Sequence, residues 1–256
     1  MLRALWTGAT GMNAQQFMID TIANNLANVN TTGYKRQRVN FKDLYYQELW
    51  MGRNDVISVG HGSRVSDSTR SFAPGNLEKT DDPLSLAIEG SGFFCVELPD
   101  GTAYTRDGNF RVDGEGMLVT SDGYPLVSEG GYGGEITIPQ DASEVSVSAD
   151  GTVFARVGDE LRNVGQIRVT MFPNPAGLEA LGRNLFRPTA ASGEPRAVTP
   201  GEEGSGRILS GFLETSNVQI VTEMVNLIVA QRAFEFNSKA VETADQMLGV
   251  ANNLKR

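Results

Sequence analysis

The chain has 256 residues, a formal net charge of −9, one cysteine and one histidine. This length can bury a hydrophobic core, and the acidic charge argues against a nucleic-acid-binding protein, which normally has a basic face, and against an anionic membrane surface as the main partner. One cysteine and one histidine exclude a disulfide framework and a two-histidine metal site. No apolar run reaches the roughly 20 residues of a membrane-spanning helix, so we expect no membrane insertion.

Proline and charge divide the chain into two ends and a middle. All ten prolines lie between Pro74 and Pro200. Residues 1–30 and 216–256 are each neutral, so the net charge of −9 belongs to the middle. Because proline breaks helices and marks turns, we predict an α+β fold. In it, long, paired, coiled-coil-like N- and C-terminal helices flank a central antiparallel β domain.

The first segment, residues 1–33, predicts a helix that ends near Gly33, a residue free to adopt the left-handed conformation after a helix. Gly8 and Gly11 interrupt its apolar character, so we expect no cleaved secretory signal. The segment carries a seven-residue apolar repeat with a second heptad position in its later turns. The residues of this stripe are Leu5, Met12, Ile19, Ile22, Leu26 and Val29.

The middle of the chain predicts antiparallel sheet. We expect an extended connector over residues 34–80, a β domain over 81–188 and a return linker over 189–215. Asp-Gly pairs, which favour hairpin turns because glycine accepts positive φ, separate short apolar stretches. These pairs begin at Asp100, Asp107, Asp113, Asp122 and Asp150.

The last segment, residues 216–256, predicts a second long helix, with Ser216 as N-cap and Gln219 completing a capping box. Its apolar residues surround the first turns instead of forming one stripe, and a helix that is apolar all round must be covered on every side. We therefore expect other copies of the chain to cover it. The predicted assembly residues of this helix are Ile220, Val221, Met224, Leu227, Ile228, Phe234, Val241 and Leu248.

Candidate catalytic groups are few. His61 lies in a flexible stretch with no evident carboxylate to orient it, and Cys95 lies within an apolar strand. The glycine run 130–134 lacks the lysine and the following helix of a phosphate-binding loop. The basic run 34–38 is interpreted as a solvated linker or a salt-bridged face. We therefore predict no catalytic residue, metal site or cofactor, and a protein that is not an enzyme.

Three parts of the chain resemble a known family. The stretch 23–36 (ANNLANVNTTGYKR) and the C-terminal stretches 214–218, 223–226, 231–235 and 237–240 closely resemble the two terminal signatures of the bacterial flagellar axial proteins of the rod and hook. Between them, stretches 90–94 and 104–110 resemble the β domain of that family. The signature residues are Asn24, Asn25, Leu26, Ala27, Asn28, Thr32, Gly33, Gln231, Arg232, Asn237 and Lys239.

The resemblance implies a structural subunit of the distal part of the rod in the flagellar basal body. Such a subunit forms a helical homopolymer whose terminal helices line the export channel, and it transmits torque across the periplasm to the hook. It implies partners among the proximal rod proteins, the hook protein and the outer-ring bushing proteins. It also implies export by the flagellar type III apparatus without a cleaved signal peptide. Two alternatives remain at this point: a hook or proximal rod subunit, or a peptidoglycan-acting β-domain enzyme.

Overall fold

The computed structural model describes residues 2–50, 56–127, 136–139 and 141–253. The glycine run 130–134 lies outside these residues. The chain divides into two compact units. Unit 1 comprises Met1–Ala27, Arg36–Ser71 and Val218–Arg256, and unit 2 comprises Asn28–Lys35 and Phe72–Asn217. Two terminal helices flank a central antiparallel β region, as the predicted α+β class requires.

The helices of unit 1 are α1 (Leu2–Ala27) and α2 (Ile220–Asn253). The 34 residues of α2 span about 51 Å at 1.5 Å per residue. The capping box at Ser216 is wrong because α2 begins at Ile220, where the amide of Glu223 bonds to the carbonyl of Gln219 at 2.9 Å. Val29 also falls outside its predicted helix, since α1 ends two residues earlier.

Small residues let α1 and α2 approach closely. A Cβ atom built on Gly8 would lie 2.6 Å from Cγ2 of Val241, and one on Gly11 would lie 2.9 Å from Nδ2 of Asn237. Ala230 is fully buried in α2. Neither glycine can therefore be enlarged unless its neighbour on α2 moves.

Unit 1 also contains two strand pairs from residues 36–71. Strand β1 (Gln37–Asp43) pairs antiparallel with β4 (Ser63–Arg70), with an irregularity between Asn40 and Phe41. Strand β2 (Tyr46–Trp50) pairs with β3 (Val56–Gly60). The predicted extended connector thus contains hydrogen-bonded hairpins, and both β1 and β4 pack against α1.

Unit 2 is built from short strands, and every strand pair recorded in its described residues is antiparallel. One short 3₁₀ helix, Pro175–Gly177, lies between them. The strands are β5 (Leu77–Lys79), β6 (Leu86–Glu89), β7 (Phe94–Leu98), β8 (Gly101–Thr105), β9 (Phe110–Val112), β10 (Leu118–Thr120), β11 (Ala142–Val147), β12 (Thr152–Val157), β13 (Glu160–Gln166), β14 (Val169–Met171), β15 (Glu179–Gly182), β16 (Leu185–Arg187), β17 (Arg196–Val198), β18 (Arg207–Ser210) and β19 (Phe212–Glu214).

The returning part of the chain completes the sheets of unit 2. Strand β17 pairs with β14, β18 pairs with β6, and β19 pairs with β5. The largest sheet has the order β15-β16-β8-β7, and a second sheet has the order β11-β12-β13. Residues far apart in the sequence therefore close one β core.

Two buried clusters form that core. The larger one includes Phe94, Phe110 and Ile208, and Phe94 meets Phe110 edge to face with 5.1 Å between ring centroids. The second gathers Phe93, Phe172, Phe186 and Tyr104 with the partly buried Phe72, in edge-to-face contacts of 4.9–6.2 Å. Most of the side chains in this second cluster are aromatic, and it also includes the buried Cys95; we call it the aromatic cluster.

The Asp-Gly turns divide into two groups. Asp100-Gly101 joins the paired strands β7 and β8, Asp113-Gly114 joins β9 and β10, and Asp150-Gly151 joins β11 and β12, as predicted. Asp122-Gly123 turns the chain between the bridged residues Val119 and Pro125. Asp107-Gly108 does not make a hairpin, because β9 pairs with β10 and not with β8. The carbonyl of Gly108 instead accepts a hydrogen bond from the amide of Leu86 at 2.9 Å.

Candidate assembly surfaces and a buried ion cluster

One face of α2 is apolar and exposed to solvent. Val221 is 75% exposed, and its neighbours along the same face are also exposed. Contiguous exposed apolar patches on a soluble chain usually mark an interaction site. The exposed α2 face is defined by Ile220, Val221, Met224, Val225, Ile228 and Val229.

The other predicted assembly residues are half-buried or buried. Leu227, Phe234, Val241 and Leu248 are half-buried. On α1, Ile22 is buried, and Leu5, Met12, Ile19 and Leu26 are half-buried. Val29 is half-buried in the turn after α1. The predicted assembly residues therefore form two groups. One faces solvent on α2, and the other is partly or fully covered by the rest of the chain.

Two signature residues near the end of α1 have different surroundings. The buried amide of Asn25 donates to the carbonyl of Gln37 at 2.8 Å and accepts from the Gln37 amide at 2.9 Å. Asn25 therefore fixes the first residue of β1 against α1. Asn24 is exposed, and the neighbouring Ala27 is exposed as well.

A pocket of about 380 Å³ lies beside this contact in unit 1. Its lining combines the apolar Met18, Ile22 and Phe41 with the paired side chains of Arg36 and Glu223. Nε of Arg36 lies 2.6 Å from Oε1 of Glu223, whose side chain is 2% exposed. Glu223, in the first turn of α2, is thus paired with Arg36, the residue that precedes β1.

The signature residues that follow α1 dock within unit 2. The hydroxyl of Thr32 donates to Oδ1 of Asp107 at 2.9 Å, and the side-chain amide of Asn184 donates to the Thr32 carbonyl at 2.9 Å. Gly33 has the predicted left-handed conformation, with φ of +66°. A Cβ atom there would lie 2.5 Å from the backbone nitrogen of Asp107. Asn28 accepts a side-chain hydrogen bond from Thr31 at 3.2 Å.

Lys35, Arg106 and Glu214 form the Glu214 cluster in unit 2. Nζ of Lys35 lies 2.6 Å from Oε1 of Glu214, and Nη1 of Arg106 lies 3.4 Å from Oε2. The three side chains are at most 3% exposed. Burial lowers the pKa of Lys35, and the charge of Glu214 partly opposes this shift. Burial also lowers the pKa of Arg106.

The Glu214 cluster corrects one interpretation and adds two residues. The sequence predicts that Lys35 belongs to a solvated linker or a salt-bridged face; in the structure it is salt-bridged but fully buried. Arg106 and Glu214 were not predicted as site residues. Both lie within stretches that carry the family resemblance. The presence of a charged residue inside such a stretch was the only sequence signal that could have pointed to them.

The C-terminal signature residues lie mostly on the surface of α2. Gln231, Arg232 and Lys239 are exposed, whereas Asn237 is half-buried beside Gly11. Nη1 of Arg232 donates to Glu235 at 2.7 Å. An exposed helical ion pair of this kind contributes little to stability.

Potential reactive groups have structural surroundings. Burial raises the pKa of the Cys95 thiol to about 11, which keeps the thiol protonated and unreactive at neutral pH. Nδ1 of His61 lies 3.1 Å from the carbonyl of Tyr45. Within the described ranges, no group of three or more His, Cys, Asp or Glu side chains is arranged to hold a metal ion. No helix of that part of the chain has the length and hydropathy to cross a membrane.

Comparison with known families defines the class of protein. The N-terminal residues 5–35 match the model described as flagella basal body rod protein. Residues 87–155 match the flagellar hook protein FlgE/F/G D1 domain, and residues 209–254 match the flagellar basal body rod FlgEFG protein C-terminal model. The chain is thus of the flagellar rod and hook class. The three matched regions follow one another along the chain in the same order as the three stretches that carry the sequence resemblance.

Individual relatives narrow the assignment. The chain is 47% identical over 270 residues to the flagellar basal-body rod protein FlgG of Borreliella burgdorferi, with all of both chains covered. It is 44% identical to the FlgG proteins of Buchnera aphidicola subsp. Schizaphis graminum, covering 97% of this chain and 98% of that protein, and of Caulobacter vibrioides, covering 99% and 100%. The chain belongs to the flagellar basal-body rod protein family.

This membership fixes the broad function. The chain is a structural protein of the flagellar basal body and acts in motility, not as an enzyme. The alternative of a peptidoglycan-acting enzyme is therefore wrong. Membership also implies assembly with other rod and hook components.

Proposed function

We propose that this chain is the subunit of the distal part of the rod and that it forms a helical homopolymer. The polymer acts as a drive shaft that crosses the periplasm, transmits torque to the hook and encloses the export channel. In this proposal residues 1–33 and 216–256 form the inner core domain. The connector 34–80, the β domain 81–188 and the return linker 189–215 form the rest of the subunit.

The exposed α2 face is the observation that carries the proposal. Six large apolar side chains of one helix are exposed while the opposite side packs in the chain. Burying a large apolar side chain contributes roughly 1.5–3 kcal/mol, so covering this face with a second copy supplies a substantial driving force. In this proposal α2 of one copy meets a different surface of the next, which makes the contact heterologous. Heterologous contacts that do not close produce helical filaments.

A polymer of this kind suits a torque-bearing shaft. Each subunit is held by many apolar contacts along long helices, so the load is distributed over many side chains and no single bond carries it. We propose coiled-coil-like packing of α1 and α2, continued between copies. The predicted assembly residues on both helices then serve either pairing within the subunit or contact between subunits.

The proposed partners follow from this place in the axis. The proximal rod proteins lie before this segment, the hook protein lies after it, and the outer-ring bushing proteins surround it. The type III export apparatus delivers the subunit without a cleaved signal peptide. The exposed Gln231, Arg232 and Lys239 are candidate contact residues for neighbouring subunits.

Polymer formation by the purified chain tests the proposal. We expect concentration-dependent tubes by electron microscopy and sedimentation for the unchanged chain. Val221→Asp should abolish the tubes while circular dichroism stays unchanged, because Val221 is 75% exposed in the single chain. Leu161→Asp is the matched control, since Leu161 is 61% exposed but lies on β13 in unit 2. Tube formation by Val221→Asp equal to that of the control would contradict the proposal.

A further inference from the structure

Glu214 bonds to three separate segments of the chain. Its Oε1 accepts from Nζ of Lys35 at 2.6 Å and from the backbone amide of Gly75 at 2.8 Å. Its Oε2 lies 3.4 Å from Nη1 of Arg106. One carboxylate therefore joins the segment that follows α1, the segment that precedes β5 and the loop that follows β8.

Two of these segments, and the segment of Glu214 itself, adjoin positions where the chain passes between the two units; we call Lys35, residues 73–76 and residues 214–217 the crossing segments. Those positions are 35/36, 71/72 and 217/218, and a fourth is 27/28. The segments are also bonded to one another: Lys35 Nζ donates to the Ala73 carbonyl at 3.0 Å, and Asn217 Nδ2 donates to the same carbonyl at 2.9 Å. The amide of Thr215 donates to the carbonyl of Asn76 at 2.8 Å.

Arg106 extends the Glu214 cluster into the β core. Its guanidinium donates to the carbonyls of Ile88 at 3.3 Å and Gly90 at 2.7 Å, and it lies over the ring of Phe93 with 5.4 Å between Cζ and the ring centroid. Ile88 is in β6, and Phe93 belongs to the aromatic cluster. A continuous series of contacts therefore joins the crossing segments to the buried core of unit 2.

Stability alone does not account for charges at this position. A buried ion pair is often no more stabilising than apolar residues of the same volume, because desolvation offsets the attraction. Charged groups instead fix the geometry, because each charge-assisted hydrogen bond forms only when donor and acceptor lie in one particular arrangement. The Glu214 cluster holds two cations and one carboxylate, so every charge–charge bond in it passes through Glu214.

We propose that Glu214 is the positioning residue that locks the three crossing segments to one another and to the β core, so that torque entering unit 2 along the chain is shared by these segments in parallel. This inference rests on the proposed torque-bearing function. Without the lock, force on one segment breaks its hydrogen bonds one after another. With it, the segments must be displaced together.

Motor rotation at two loads tests the proposal. Cells whose only copy of this chain carries Glu214→Gln are compared with cells carrying Glu179→Gln, a control that removes an exposed ion pair to Arg187 of 3.5 Å in the same unit. We expect both variants to rotate small beads like the unchanged chain. Under the high load of tethered cells, Glu214→Gln should lose rotation and shed hook–filament assemblies, and the control should do neither. Equal torque at both loads, or an equal loss at both loads, would overturn the proposal.

A second variant keeps the test decisive if Glu214→Gln yields no basal bodies. Lys35→Met removes the side-chain bonds of one crossing segment to Glu214 and to the Ala73 carbonyl, and it leaves the Glu214–Arg106 pair in place. Load-dependent shedding by this variant supports the lock, and wild-type behaviour at high load overturns it.

Hydrogen exchange of the purified full chain separates the two proposals. In Glu214→Gln the amides of Gly33, Gly75 and Thr215 should exchange more than about a hundredfold faster, because two buried cations lose their counter-charge. If these amides exchange faster in Glu214→Gln but the unchanged chain forms no polymer, the proposed function is refuted, whereas the role of Glu214 in holding the crossing segments together stands. Unchanged exchange would refute the lock alone.

Discussion

Nζ of Lys35 lies 2.6 Å from Oε1 of Glu214, and both side chains are buried. With Arg106 beside them, two cations share one carboxylate, so the Glu214 cluster carries a net charge of +1. The consequences of removing a charge therefore depend strongly on which residue is changed.

Glu214→Gln should be far more destabilising than Lys35→Met. The first leaves two buried cations without a counter-charge, which costs roughly 3–5 kcal/mol of unfolding free energy. The second leaves the neutral Glu214–Arg106 pair and loses mainly hydrogen bonds, at about 1 kcal/mol each. Adding Lys35→Met to Glu214→Gln should therefore raise stability. Urea unfolding of the three variants measures this order, and equal destabilisation by the two single changes would contradict it.

The elements that the sequence predicted best depend on local patterns. The seven-residue repeats located both helices, and the Asp-Gly pairs at 100 and 150 located true hairpins. Gly33 was correctly assigned a left-handed conformation, because only glycine adopts it at low cost. In each case the deciding interaction involves residues close in sequence.

What the sequence missed depends on distant residues. Strands β17, β18 and β19 pair with strands far from them along the chain, and their short, turn-flanked sequences read as linker. Lys35 and Glu214 are separated by 179 positions, so no local spacing connects them. The sequence also predicts too early a start for α2, since the helix begins at Ile220 and Ser216 is a buried residue of unit 2.

Gly33→Ala should destabilise the chain by more than about 2 kcal/mol. The left-handed conformation costs a non-glycine residue roughly 1–2 kcal/mol. The new Cβ would also lie 2.5 Å from a backbone atom that cannot move away independently. Thermal unfolding measures the change. Gly249→Ala is the matched control: Gly249 lies inside α2 with open space around it, so alanine should stabilise by up to about 1 kcal/mol. A loss at Gly249 similar to that at Gly33 would contradict this account.

Leu227→Asp should disrupt unit 1 and prevent assembly while unit 2 stays folded. Leu227 is half-buried in α2, and a carboxylate there loses apolar packing and is partly desolvated, at a cost of roughly 2 kcal/mol or more. Hydrogen exchange should show faster exchange along α1 and α2 and unchanged protection in β7 and β12. The exposed Gln231→Asp, one turn further along, is the control and should leave both helices protected. Normal polymers of Leu227→Asp would count heavily against a helical core.

Asp107 and Asp150 should show opposite pH dependences of stability. Burial raises the pKa of Asp107 above its ordinary 3.8, although hydrogen bonds from Thr32 and Asn109 oppose the shift. The protonated form is therefore favoured in the folded chain, and the stability it contributes is present below pH 3.8 and is lost as pH rises through the raised pKa. Asp107→Asn, which retains an acceptor for Thr32, should be more stable than the unchanged chain at pH 7, and this advantage should shrink as pH falls towards 3.8.

Asp150 is the matched comparison because its pKa is shifted the other way. The backbone amide of Thr152 donates to Oδ1 at 3.2 Å, and the Thr152 hydroxyl donates to Oδ2 at 2.9 Å; these bonds hold the pKa of Asp150 below 3.8. Its ionised form thus contributes stability above pH 3.8 that is lost as pH falls through the lowered pKa. Asp150→Asn should be less stable than the unchanged chain at pH 7, with the deficit shrinking in acid. Urea midpoints of both variants at pH 7, 5 and 4 provide the measurement, and differences of the same sign at pH 7 would show that these assignments are wrong.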